Sequence, residues 1–362
     1  MIRLATVFSG IGAIEEALIK EHIPYEVVFA CDNGEREVEI PKDISDELLG
    51  LSNLERNKII REYYDKTGKP NFVKISYFAN YKIAEENWYE DIRFINGYEY
   101  KDKVDLFVGG SPCQSFSIIG KRKGLEDTRG TLFYDYARLI QEIEPKVFIY
   151  ENVVGMLTHD KGKTWDVIKS VFESLGYNLY FKVLNSKDYG IPQDRKRLFV
   201  VGFKDKVDFH FPDPIPLETT TFDYLEKSPV NYKYYLGKKG FEFVTGIKNK
   251  NRARVNRKII QTQKANQQFN WNGDFIFENL QTVKDDSAIM GRAYVGQWNG
   301  QQGVVRQLTN RECLRLMGFN DDFKIVVDNN VSYRQSGNSI VVNVLQKIIE
   351  EIEKVTKLNY EK

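Results

Sequence analysis

The stretch Val104-Asp105-Leu106-Phe107-Val108-Gly109-Gly110-Ser111-Pro112-Cys113 decides the fold. Its first five residues read as a buried strand, and the Gly-Gly-Ser-Pro that follows stops it abruptly. Pro112 fixes its own φ and biases Ser111 away from helix, so the thiol of Cys113 sits on a constrained turn. In an open α/β sheet, ligands and reactive groups gather at the carboxyl ends of strands. A free cysteine is more often a small buried hydrophobe. Polar neighbours, with Lys121, Arg122 and Lys123 downstream, argue for a reactive thiol instead, because nearby cations lower a thiol pKa. Local features alone leave both readings open.

Working outward, Leu4–Phe8, Tyr25–Ala30, Lys146–Tyr150, Tyr180–Leu184 and Arg197–Phe203 read as further strands. Helical patterns cover the residues after Gly12 to Lys20, Leu132–Ile143 and Trp165–Leu175. Strands alternating with helices predict an α/β fold with a mainly parallel, doubly wound sheet. Between Gly34 and Lys74 lies a charged segment with an amphipathic helix over Asp46–Asp65, expected to be a surface insertion with a solvated face and no function. The composition shifts after Phe203, towards Pro turns, tyrosines, a basic Asn/Gln-rich tract and a Gly-punctuated loop. The expected organisation is a catalytic and cofactor-binding domain over 1–203, a smaller domain over 204–305, and a segment 306–362 returning to the first. Helical patterns over Thr309–Met317 and Ile340–Lys357 mark that return.

The bulk numbers set bounds. The 362 residues, 42% hydrophobic and 28% charged, suit a soluble globular chain. No apolar run is long enough to span a bilayer and the N-terminus carries no signal pattern, so a cytoplasmic location is expected. Three cysteines without paired spacing predict neither a zinc site nor a disulfide framework, and no metal is expected. Net charge is +1, so any affinity for nucleic acid must come from local charge.

Phe8-Ser9-Gly10-Ile11-Gly12-Ala13 lies between a strand and a helix. Glycines there let a ligand approach the backbone, and a helix N-terminus favours an anionic group. The G-x-G-x-x-G signature is incomplete, because Glu15 stands at its last position and sits awkwardly beside a pyrophosphate. Asp32 ends the second strand about twenty residues on, where an acid can accept both ribose hydroxyls. A nucleoside without pyrophosphate fits better than NAD, and S-adenosylmethionine is the commonest such ligand.

Taken in order, these and later segments resemble the cytosine-C5 DNA methyltransferases of bacterial or phage restriction-modification type, almost end to end. The carriers are Phe8–Gly12, Asp32, Asp91-Ile92, Gly110-Ser111-Pro112-Cys113-Gln114, Asp127–Phe133 and Glu151-Asn152-Val153. Gln193-Asp194-Arg195-Lys196-Arg197, the run from Arg306 to Phe319, and Gly337-Asn338-Ser339 complete the set. The chain departs from the family at Ala13, Asn33 and Ser111.

The resemblance implies a Rossmann-like S-adenosylmethionine-dependent methyltransferase domain with a smaller target-recognition domain. It implies methyl transfer to carbon 5 of a flipped-out cytosine in a specific duplex sequence, leaving S-adenosylhomocysteine as product. Cys113 becomes the nucleophile that adds to C6, and Glu151 the donor of a proton towards N3. Desolvation at the end of a buried strand would favour a protonated Glu151. Arg197 would meet the cytosine O2 and brace Glu151, while Arg195, placed in the same catalytic set, supports the loop or a phosphate. Phe8, Gly10, Gly12, Asp32, Asp91, Ile92, Pro112, Leu132, Asn338 and Ser339 fall at cofactor positions. Gln114, Ser117, Ile119, Lys121 and Arg129 fall on the loop that closes over DNA, with Ile119 at the inserting position.

In the small domain, Lys238, Lys239, Lys248, Lys250, Arg252, Arg254, Arg257 and Lys258 form a basic run that supplies phosphate contacts, with Asn249, Asn251 and Asn256 interleaved as base readers. Thr282-Val283 resembles the short Thr-aliphatic signature of target-recognition regions, and Gly291–Gly303 is expected as a loop entering a groove. The expected partner is double-stranded DNA, with a cognate restriction endonuclease as companion, a monomeric state and no membrane association. Two alternatives stand beside this reading. One is the tRNA-methylating branch of the fold, whose Cys-Phe-Thr tripeptide is absent. The other is an inactive DNA-binding homologue, expected to lose the thiol, the glutamate or the glycines, all present here.

Overall fold

The computed structural model describes residues 1–41, 43–111, 132–266, 271–356 and 358. A seven-stranded sheet contains β1 (Ile2–Val7), β2 (Tyr25–Cys31), β3 (Trp88–Tyr89), β4 (Leu106–Gly109), β5 (Val147–Val153) and β6 (Asn178–Asn185). After the two-residue β7 (Gln193–Asp194), which belongs to another sheet, β8 (Lys196–Phe203) completes it. The spatial order is β3-β2-β1-β4-β5-β8-β6. The pairings β1–β2, β1–β4, β2–β3 and β4–β5 are parallel, and β5–β8 is antiparallel. From β1 the chain runs outward to β3 and then returns to β4. The reversal lies between β1 and β4, and ligands bind at such a switch point beyond the carboxyl ends of the strands.

Burial explains the strand patterns. Leu106, Phe107 and Val108 of β4 are all buried, as a parallel strand covered on both faces requires. The helix Leu132–Ile143 buries Phe133, Tyr136, Ala137, Ile140 and Ile143, a helical stripe turned to the core. Tyr136 stacks on Phe107 with ring centroids 4.9 Å apart, fixing this helix on β4.

The segment between β2 and β3 is more than the solvated surface insertion expected of it. Ile44, Leu48, Ile60 and Tyr64 form a buried cluster with Phe94 packed against it. The helix Asn53–Asp65 starts on a capping box between Ser52 and Glu55, which satisfies two end donors. The helix expected over Asp46–Asp65 is instead two, Ile44–Glu47 and Asn53–Asp65, and an unexpected third, Phe72–Asn80, follows.

The chain divides into two compact units, one of residues 1–184, 196–213 and 344–362 and the other of 185–195 and 214–343. Residues 306–343 thus fall in the second unit, and the helix Val342–Thr356 falls in the first from Val344 on. The second unit holds β9 (Ala253–Val255), β10 (Ile260–Gln261), β11 (Gly273–Asn279), β12 (Gly296–Trp298) and β13 (Gln301–Gln307). Its larger sheet has the order β12-β13-β11-β9, and β10 pairs with β7. Arg306, almost wholly buried, is held by Glu278 at 2.6 Å and Glu312 at 2.9 Å; a buried charge needs such pairing. The expected loop over Gly291–Gly303 is instead the end of the helix Ser287–Arg292 and the hairpin β12–β13. Asn299 and Gly300 turn it with φ of 48° and 78°, the primed turn that suits the twist of paired strands.

Candidate active site

The turn after β1 departs from ordinary backbone. Phe8, half-buried against the main core, has φ 53°, a conformation side chains other than glycine avoid and functional turns tolerate. Gly10 has φ 54° and no atom within 4 Å of where a Cβ would stand, which leaves room for a ligand. Gly12 has φ 82°, and a Cβ there would lie 2.1 Å from the Tyr81 ring. The Tyr81 hydroxyl donates to the Gly12 carbonyl at 2.9 Å. Ser9 N donates to the Cys31 carbonyl at 3.2 Å, tying the turn to β2. Asp32 accepts Gly10 N on Oδ2 at 3.0 Å and Gly34 N on Oδ1 at 2.8 Å. Each oxygen keeps one acceptor position, enough for two ribose hydroxyls. Burial raises the Asp32 carboxyl above its ordinary range, against the pull of those two N–H groups. An open glycine cradle beside a two-acceptor acid fits the nucleoside of S-adenosylmethionine.

Glu15 is fully buried and accepts the Tyr77 hydroxyl on Oε1. Its Oε2 has no hydrogen-bond partner among the described residues. Burial, opposed by the Tyr77 bond, pushes the carboxyl up from 4.5 to about 7. Between those values native Glu15 keeps a proton that the unfolded chain has released. Stability is therefore fully present below about pH 4.5 and falls as pH rises towards about 7, by on the order of 3 kcal/mol. Glu15→Gln needs no proton to stay neutral. Urea unfolding at about pH 5 and about pH 8 is expected to show a smaller decline for this variant than for the wild type.

Asp91 and Ile92 are buried just after β3. Asp91 accepts Arg93 N and Nε on Oδ1 at 3.1 and 2.9 Å. On Oδ2 it accepts Arg93 Nη2 at 2.6 Å and the Tyr64 hydroxyl at 3.0 Å. Leu132 opens the helix Leu132–Ile143, half-buried against the main core.

At the carboxyl end of β5, Glu151 Oε1 stands 3.0 Å from Arg197 Nε, with the side chains 14% and 18% exposed. The register pairs Glu151 with Phe199 and Val153 with Arg197. The pair is therefore a diagonal on one face of the sheet, within reach of long side chains. Gly110, just past β4, is held close: a Cβ there would lie 2.6 Å from the Glu151 carbonyl oxygen. Asn152 Nδ2 donates to the Ser111 carbonyl at 2.9 Å, and Ser111 Oγ lies 2.7 Å from the Tyr150 hydroxyl. No local sequence signal announces this clasp between the ends of β4 and β5.

Pro112, Cys113, Gln114, Ser117, Ile119, Lys121 and Arg129 lie outside the described residues. Cys31 and Cys313 are both buried, and burial pushes the Cys31 thiol well up. Among the described residues no group of three or more His, Cys, Asp or Glu side chains could hold a metal ion.

The remaining expected residues belong to the second unit. Arg195 is buried and donates to the carbonyls of Gln263 at 2.7 Å, Gly337 at 3.1 Å and Ser339 at 2.8 Å. Its guanidinium braces two loops, which leaves the phosphate contact without support. Asn338 and Ser339 stand at the end of the helix Asn329–Asn338. Arg252 is exposed with its guanidinium 5.3 Å from the Phe243 ring centroid, and Arg254 donates to the Asn251 carbonyl at 3.1 Å. Two of the expected base readers are committed elsewhere. Asn256 accepts Phe277 N at 2.8 Å and donates to its carbonyl at 3.3 Å, and Asn249 donates to the Phe243 carbonyl at 2.9 Å. An amide that closes a backbone gap in this way is a brace, not a free reader.

A family model described as C-5 cytosine-specific DNA methylase matches residues 48–354. The Type II methyltransferase M.SsoII of Shigella sonnei is 36% identical over 307 residues, covering 82% of this chain and 74% of that protein. The Type II methyltransferase M.HhaI of Haemophilus parahaemolyticus is 36% identical over 273 residues, covering 72% of this chain and 79% of that protein. The crystal structure of the S. pombe Dnmt2 methyltransferase superposes with a TM-score of 0.67 at 18% identity, over 99% of this chain and 100% of that one. That last likeness speaks for the fold.

Proposed function

The chain belongs to the C-5 cytosine-specific DNA methylases, and from that premise we propose how its own residues divide the work. It is a DNA cytosine-5 methyltransferase that uses S-adenosylmethionine. That cofactor supplies an electrophilic methyl group on a sulfonium sulfur. Phe8, Gly10, Gly12, Asp32, Asp91, Ile92, Pro112, Leu132, Asn338 and Ser339 hold it.

Carbon 5 of cytosine is a weak nucleophile until the ring is made electron-rich. Cys113 adds as thiolate to C6, and the electron pair displaced from the C5–C6 bond flows towards N3. Glu151 donates a proton at N3, so the adduct is a neutral enamine whose C5 is nucleophilic. Arg197 holds Glu151 and reaches the cytosine O2. After methylation the C5 proton departs to a base, the N3 proton returns to Glu151, the thiolate is expelled from C6, and the C5–C6 double bond returns. Arg195 supports the loops around Gln263 and Ser339.

The observation that carries this reading is the Glu151–Arg197 pair, 3.0 Å apart at the carboxyl end of β5, beside the end of β4 where the sequence runs through Gly110-Ser111 to Cys113. Arg252 and Arg254 supply backbone contacts to duplex DNA. Gln114, Ser117, Ile119, Lys121 and Arg129 cover the flipped base. The enzyme acts as a monomer without a metal, in the compartment that holds its DNA. A restriction endonuclease of the same specificity is its companion, a pairing that the Type II names of its relatives support.

Bisulfite sequencing of DNA from cells expressing the chain is expected to show 5-methylcytosine in one short context. Methylated adenine, a methylated exocyclic amine, or methylation of tRNA alone would overturn the reading.

A further inference from the structure

Two side chains from the segment between β2 and β3 reach the two acids on which the proposed cofactor site depends, and a third links them. Tyr64, buried on the helix Asn53–Asp65, donates its hydroxyl to Oδ2 of Asp91 at 3.0 Å. Asn71, at the start of the helix Phe72–Asn80, donates Nδ2 to the Asp32 carbonyl and to Glu90 Oε2, each at 2.8 Å. Arg36 forms a buried ion pair with the same Glu90 oxygen, and its guanidinium lies 4.8 Å from the Tyr64 ring centroid. The contacts make one unbroken path from Asp32 through Asn71, Glu90, Arg36 and Tyr64 to Asp91. Arg36, Tyr64, Asn71 and Glu90 are all buried, where losing a hydrogen-bond partner is costly.

We propose that this insertion positions the cofactor acids: Tyr64 fixes the carboxylate of Asp91, and Asn71 fixes the strand end that carries Asp32, neither touching the cofactor. The proposal rests on the reading of Asp32 and Asp91 as cofactor residues. Without the Tyr64 hydroxyl, the hydrogen bonds to the Asp91 carboxylate among the described residues come from Arg93, from its backbone N and from a side chain that is 44% exposed. Oδ2 then has only that partly exposed guanidinium to orient it, while the Arg93 backbone N–H still holds Oδ1. Preorganisation of this kind lowers the cost of binding without adding a contact to the ligand.

Tyr64→Phe keeps the ring, its packing and its contact with Arg36 and removes one oxygen. The KM for S-adenosylmethionine is expected to rise about tenfold, the scale of one hydrogen bond to a charged group, with kcat and the KM for DNA unchanged. Calorimetric titration with S-adenosylhomocysteine should show the same loss in the absence of turnover. Asp91→Asn is expected to weaken cofactor binding as well, and the double variant should lose little more than Asp91→Asn alone.

Normal cofactor affinity in Tyr64→Phe beside a loss in Asp91→Asn overturns the proposal and leaves Asp91 in its role. Normal affinity in both overturns the assignment of Asp91, and the proposal with it. A loss confined to Tyr64→Phe, or two fully additive losses, shows that Tyr64 does not act through Asp91 and also overturns it. So does a lowered melting temperature with an unchanged titration, which would make Tyr64 a support of the fold alone.

Discussion

Cys113→Ser is expected to leave S-adenosylmethionine binding unchanged and to lower methyl transfer by at least about 10³-fold, as loss of a covalent nucleophile does elsewhere. A thiol is partly ionised near neutral pH and its thiolate is polarisable; a serine hydroxyl is neither. The environment of the other two thiols sharpens the assignment. Cys31 and Cys313 are buried, and burial pushes the Cys31 thiol further from ionisation. Cys113 alone follows the β4 end, where Ser111 is clasped by Asn152 at 2.9 Å. Duplex DNA carrying 5-fluorocytosine gives a second readout, because fluorine cannot depart from C5 as a proton does. A covalent adduct should accumulate and map to Cys113 by peptide mass. Near-normal turnover of Cys113→Ser, or an adduct on another residue, would remove the cysteine from this role.

What was legible in the sequence followed from short-range physics. Continuous apolar runs marked β1, β2, β4, β5 and β8, since a strand buried on both faces has no polar alternation to hide. The glycines at 10, 12 and 110 stood out because a turn or a close approach needed them, and the structure shows both uses. What escaped depends on tertiary partners. The helix Phe72–Asn80 brings Tyr77 to Glu15, and the nearby Tyr81 meets Gly12, contacts that no local spacing announces. Asn256 was read as a base contact from its basic neighbours, yet its amide is committed to the Phe277 backbone. The hairpin at Asn299-Gly300 was the avoidable miss, since Asn-Gly between extended runs is a strong turn signal.

Glu151→Gln is expected to lower kcat by roughly 10²–10⁴-fold, the usual contribution of a positioned proton donor. The substitution is nearly isosteric. Its amide oxygen can accept Arg197 Nε where Glu151 Oε1 now does at 3.0 Å, so the diagonal across β5 and β8 should persist. What is lost is a transferable proton. Without it, charge pushed towards N3 is not neutralised, and addition of the thiolate to C6 becomes uphill. The defect should therefore appear before methyl transfer, and trapping on 5-fluorocytosine DNA should slow by a similar factor. Affinities for S-adenosylmethionine and DNA should change little. Arg197→Ala should behave differently, freeing the Glu151 carboxyl to rotate and weakening contact with the cytosine ring, so that KM for DNA rises together with a fall in kcat. Fast adduct formation in Glu151→Gln would place the carboxyl after the covalent step, as a structural neighbour of the base and not its proton donor. An unchanged kcat would remove it from the chemistry altogether.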